Sequence, residues 1–127
     1  MILFVDDVEH RHVNFLSAFP EKDAEGVVWA GDPESACGAL LQFDFSEIWL
    51  DHDAAPIMWN DGNNYYVPTF FVVAMFLVAM KFRGKVYIHT GNPAGASRML
   101  NLLKSHGIAV ERPDGFLLSK IWGGVHP

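Results

Sequence analysis

Short apolar runs that end in polar residues set the pattern of this chain. Residues 2–5, 27–30, 48–50, 85–88 and 108–111 are brief and rich in Val, Ile, Leu and aromatics, the mark of strands covered on both faces of a parallel sheet. Between them the apolar spacing becomes helical. Over residues 9–19, Val13 and Leu16 with Phe15 and Phe19 keep that spacing, Glu9, His10, Arg11 and Asn14 fall elsewhere, and Pro20 stops the run. Asp32 before Pro33 is a capped start for a helix over 33–41, and Asn92 before Pro93 repeats the device for a helix running to about His106, closed by Gly107. Residues 67–82 are predicted as a third helix, since the run is too long for a strand. Residues 116–127 read as a short last helix or a tail.

Five strands alternating with helices require crossovers, and right-handed crossovers give a parallel sheet with helices on both faces. The expected fold class is α/β, a flavodoxin-like three-layer sandwich whose five-stranded parallel sheet has the order 2-1-3-4-5. In that order the first, third and fourth strands are neighbours, so Asp6-Asp7, Asp51-His52-Asp53 and His89-Thr90 are expected to converge at the carboxyl edge. Residues 51–64, with Pro56, Gly62 and three Asn, read as a long loop of the kind that carries function.

At 127 residues the chain is expected to form one domain. A net charge of -6 without a Lys/Arg cluster argues against an extended nucleic-acid partner and leaves a small phosphorylated ligand open. The lone Cys37 excludes an internal disulfide, and no basic n-region opens the chain, so a reducing, cytoplasmic setting is expected. The apolar run at 70–80 falls short of the ~18 residues a membrane span needs. It is longer than one buried face requires, so helix 67–82 either packs under the long loop or forms a homodimer contact.

Asp6, Asp7, Asp51 and Asp53 crowded at one edge would repel, which predicts a neutralising partner. Mg²⁺ or another divalent cation on Asp6, Asp7 and Asp51 is the expected solution. His52 and His89 are candidates for an acid and base pair, with Asp51 and Asp53 beside them, because imidazole titrates near neutrality. His10 and His12 rank second, at the cleft mouth. Thr90, Gly91, Asn92 and Gly95 open the fourth helix and, with Ser97 and Arg98 in its first turns, are expected to receive a phosphate at its amino end.

Asp6-Asp7, Asp51, Thr90 and the Arg112-Pro113 step together resemble a response-regulator receiver domain. The resemblance implies Mg²⁺ on the paired acids, phosphate acceptance at Asp51 and phosphate contacts from Thr90 and from a Lys before Pro, where this chain has Arg112. Phe4-Val5-Asp6-Asp7, Leu50-Asp51-His52-Asp53 and His89-Thr90-Gly91-Asn92-Pro93 followed by Met99 resemble a narrower group, the receiver-like domains that process cyclic phosphates. That likeness implies a phosphodiesterase acting on a cyclic nucleotide or 2′,3′-cyclic phosphate, with His52 and His89 as acid and base. The alternatives are a nucleotide- or phosphate-binding module, with Trp59, Tyr65 and Tyr66 stacking on a base, and a signalling adaptor on the same scaffold.

Overall fold

A computed structural model describes residues 1–53 and 69–123, together with the backbone of residues 57–58 and 65–66. The strands of the main sheet are β1 (Ile2–Val5), β2 (Val27–Ala30), β3 (Glu47–Leu50), β6 (Lys85–Ile88) and β7 (Ala109–Glu111). All pair in parallel, in the order β2-β1-β3-β6-β7, which is 2-1-3-4-5 when the strands of this sheet alone are counted. The helices are α1 (Glu9–Ala18), α2 (Pro33–Gln42), α3 (Phe71–Ala79), α4 (Pro93–Ser105) and α5 (Gly115–Ile121). The flavodoxin-like expectation is met.

Side chains alternate across each strand, and the alternation sorts the core into two layers. Leu3, Val5, Ile48, Leu50, Val86 and Ile88 point to the face covered by α2, α3 and α4. Phe4, Trp49 and Tyr87 point to the other, where Phe15 of α1 and Leu118 and Ile121 of α5 close over them. The register aligns Val5, Leu50 and Ile88 in one row, so Asp6, Asp51 and His89 each follow a residue of that row.

The caps behave as their sequences imply. Asp32 accepts from the Ser35 amide at 2.7 Å and Asn92 from the Gly95 amide at 3.0 Å, each with proline in the first helical turn. Gly107 takes a φ of 75° just beyond α4, a left-handed turn that glycine adopts without strain.

Three expectations change. The helix predicted over 67–82 is α3, Phe71–Ala79, because the Phe70 amide is spent on the carbonyl of His52 at 2.6 Å and Lys81 turns into the left-handed region with φ 56°. Residues 67–68 lie outside the described ones. The stretch read as a long loop contains an antiparallel pair, β4 (Ile57–Met58) with β5 (Tyr65–Tyr66), and Asp53 bridges Thr69 across its base. Trp59 and the side chains of Tyr65 and Tyr66, assigned to base stacking, fall outside what is described. In α1 Phe15 is buried and Leu16 and Phe19 pack beside it, as the spacing suggested, whereas Val13 is 54% exposed. Among the described residues no helix is long and apolar enough to cross a membrane.

Candidate functional site

The turns that follow β1, β3 and β6 surround a cleft of about 360 Å³ lined by Asp7, Val8, Arg11, Asp51, Asp53, Thr90, Gly91 and Asn92. Asp51 lines it, and Asp6 and His89 lie beside Asp51; all three are buried, and their potential ligand atoms lie within 4.8 Å of one another. The residues expected to meet at the carboxyl edge do meet there.

Asp6 is fully buried and well supplied with donors. The Val8 amide donates to Oδ1 at 2.8 Å, and His89 Nε2 donates to Oδ2 at 3.0 Å. Burial would raise its pKa, but the His89 hydrogen bond and charge, the Val8 amide and Arg11 outweigh that and hold Asp6 below the ordinary carboxylate value. Its carbonyl oxygen accepts from the Trp29 indole at 2.7 Å, which ties edge strand β2 to the site.

Asp51 goes the other way. Burial comes first, and the neighbouring Asp6 charge adds to it, so Asp51 is raised to about 6 although His89, the His52 amide and the Thr90 hydroxyl favour its ionised form. A carboxyl group that titrates there exchanges protons near neutral pH. Asp7 is also raised, by burial and then by the charge of Asp6.

The two histidines take different positions. The His89 ring is fully buried and stacks on Phe4, with centroids 4.8 Å apart and planes at 13°. Among the described residues its Nδ1 has no hydrogen-bond partner. His52 lies against α4 on the opposite side of the row. Its Nδ1 meets Asp53 Oδ1 at 2.7 Å, and Asn92 Nδ2 donates to the same oxygen at 3.3 Å. A side chain on Gly95 would strike the His52 ring, with Cδ2 and Nδ1 only 2.6 Å from the added carbon. The structure therefore joins His52 to Asp53 and His89 to Asp6. Neither ring lines the cleft.

Several residues assigned to phosphate binding stand elsewhere. Gly95 offers no amide, because that N–H is held by Asn92, and its bare Cα makes room for His52. Arg98 is exposed on α4 and does not border the cleft. Arg112 Nη2 donates to the Thr90 carbonyl at 2.8 Å, so it braces the turn after β6 where a lysine was to have met phosphate. Thr90, Gly91 and Asn92 do line the cleft. His10 is exposed, and His12 is packed between Phe4 and Trp29, stacking on the indole with centroids 5.7 Å apart.

Arg11 went unassigned in the sequence and is central here. Its Nη1 lies 3.5 Å from Asp6 Oδ2 and 3.6 Å from Asp51 Oδ2, and its guanidinium carbon sits 5.9 Å from the centre of the Trp122 ring. The neutralising partner expected among the acids is thus supplied by α1. Asp6 and Asp51 still offer oxygens to a divalent ion, but their shared edge is already occupied and His89 Nε2 is engaged with Asp6. As arranged, the set does not fit a resident Mg²⁺, which prefers a regular shell of oxygen ligands and several waters.

Comparison with solved structures finds the crystal structure of the response regulator domain of Thermotoga maritima CheB, at a TM-score of 0.55 and 14% identity, with 99% of this chain and 97% of that chain covered. At that identity the likeness is one of fold. No curated protein matches the chain. Residues 1–105 match the model of the cyclic-phosphate processing receiver domain, a stretch that runs from β1 to the end of α4 and holds every residue lining the cleft. The chain belongs to the cyclic-phosphate processing receiver domain family.

Proposed function

We propose that the chain is a small phosphodiesterase that opens a cyclic phosphate, of the size of a nucleotide, in the cleft at the carboxyl edge of the sheet. What supports this is the meeting of Asp51 and Asp53 with Arg11, Thr90 and Asn92 around one opening of about 360 Å³, within the usual range for a small-ligand site of about 300–1,000 Å³. Asp51, raised to about 6, is the proton donor to the ester oxygen that leaves phosphorus. Asp53, whose Oδ1 is held by His52 and Asn92, accepts a proton from the attacking water. One P–O bond forms to that water, one ring P–O bond breaks, and the product is a phosphate monoester. Arg11 offsets the charge of the bound diester. His52 and His89 are positioning residues in this scheme, acting through Asp53 and Asp6.

Incubating the protein with 2′,3′-cyclic and 3′,5′-cyclic nucleotides and following ³¹P NMR tests the scheme. A monoester signal should grow for one class, and Asp51→Asn should slow it by roughly 10²–10⁴-fold, the usual contribution of a proton-transferring group. Failure to turn over either class, or an Asp51→Asn variant as fast as the parent, overturns it. A receiver-type switch is the second reading, favoured by the position of Asp51 at the end of β3 in a receiver-like fold. It would show instead as one phosphate gained from acetyl phosphate and not gained by Asp51→Asn.

A further inference from the structure

Four acids crowd the carboxyl edge, yet the two buried ones share a cation that belongs to the chain. Arg11 sits in the first turn of α1, and the start of that helix is fixed by the Val8 amide bonded to Asp6 Oδ1. From there its Nη1 reaches Asp6 Oδ2 and Asp51 Oδ2 almost equally, at 3.5 and 3.6 Å, while the guanidinium rests over Trp122 of the segment after α5. The side chain is 27% exposed, so it borders the cleft and has a way out of it.

We propose that Arg11 is a tethered counter-ion standing where the receiver fold would otherwise hold a divalent metal, and that a metal ion and the Arg11 bridge exclude one another. The guanidinium stays charged throughout the working pH range and its planar fork suits two carboxylates at once. A divalent ion bound to the same two oxygens, at about 2.1 Å, would lie within a few ångströms of that positive charge. The repulsion is relieved only when Arg11 swings toward solvent. His89 Nε2 offers the ion no lone pair, since its hydrogen is already committed to Asp6. The two buried carboxylates therefore have a counter-ion without metal. This does not depend on the phosphodiesterase scheme, because it concerns what holds the carboxylates and not what they do to a substrate.

Calorimetric titration with MgCl₂ or MnCl₂ alone, and thermal melts of the full chain in chelator or in excess metal, test the proposal without any activity readout. The parent protein should bind either ion weakly and melt at the same temperature in both conditions. Arg11→Ala should melt lower in chelator, regain part of that loss when metal is added, and bind the ion at least about tenfold more tightly than the parent, as a like charge is removed. Arg11→Met, which keeps the stem over Trp122, should behave in the same way and serves if the alanine variant does not fold. Arg11→Lys should fall between the two. If the parent binds metal as tightly as Arg11→Ala and Arg11→Met, or if metal restores neither variant, the proposal is wrong.

Discussion

Replacing Asp51 by asparagine is expected to stabilise the protein at neutral pH and to leave it unchanged in acid. The carboxyl is 3% exposed and is raised from 3.8 to about 6, chiefly by burial and then by the charge of Asp6. Because the folded state holds this proton more tightly than the unfolded chain, the stabilising contribution is complete below pH 3.8 and is lost as pH rises through about 6. At 1.36 kcal/mol for each pH unit, holding Asp51 ionised in the folded state costs about 3 kcal/mol at neutrality. Asparagine mimics the protonated form and avoids that cost. It forfeits the pairing with Arg11, but a partly exposed ion pair at 3.6 Å contributes under about 1 kcal/mol, so the burial effect wins. Urea unfolding of both proteins at a series of pH values between about 4 and 8 measures the difference directly. The curves should coincide at the acid end and separate by about 2–3 kcal/mol at the neutral end, on the order of 10 °C in Tm. A variant less stable than the parent at neutral pH would show that the Arg11 bridge outweighs burial and would refute the reasoning.

Three further outcomes follow from the packing. Gly95→Ala should cost about 1–3 kcal/mol by overpacking, and should move the His52 ring resonances in NMR while those of His89 stay in place. His89→Phe should keep the stack on Phe4 but strip Asp6 of a buried donor, costing about 3 kcal/mol in urea unfolding. Asp6 is held below its ordinary value, so its contribution is present above pH 3.8 and lost as pH falls through the lower folded value; in His89→Phe burial is left as the largest influence, so that acid loss should shrink or reverse. Trp29→Phe removes the 2.7 Å bond to the Asp6 carbonyl and should destabilise by about 1 kcal/mol while leaving the cleft acids in place, checked by thermal melts and by the pH dependence of stability.

Much of the fold was legible because each strand is a short apolar run with a sharp polar end, and because Asp32-Pro33 and Asn92-Pro93 mark helix starts by their own chemistry. The meeting of Asp6, Asp51 and His89 followed from strand order. What was not drawn from the sequence is the side on which each residue emerges. Asp6, Asp51 and His89 follow Val5, Leu50 and Ile88 and so continue the alternation on the side of Phe4, Trp49 and Tyr87, whereas His52, one residue further, turns toward α4. Applied one step past each strand, the two-residue period separates the histidines that had been paired. Arg11 was hidden for a similar reason. With Val13 counted among the inward residues of α1, Arg11 was set apart from them, but it lies four residues before the buried Phe15, on the same face and above the sheet edge. The part played by Gly95 rests on a contact between two turns far apart in the chain, which no local pattern encodes.

The bridge between Asp53 and Thr69 reaches past its own hydrogen bonding. Because the backbone is stapled at those two positions, and Phe70 is bound back to His52, the intervening stretch leaves and rejoins the scaffold through a single doorway. Closing a longer or shorter excursion from that doorway changes chain entropy only slowly with length. Exchange of residues 54–68 for a segment of another length should thus leave the aspartates of the cleft at their present spacing.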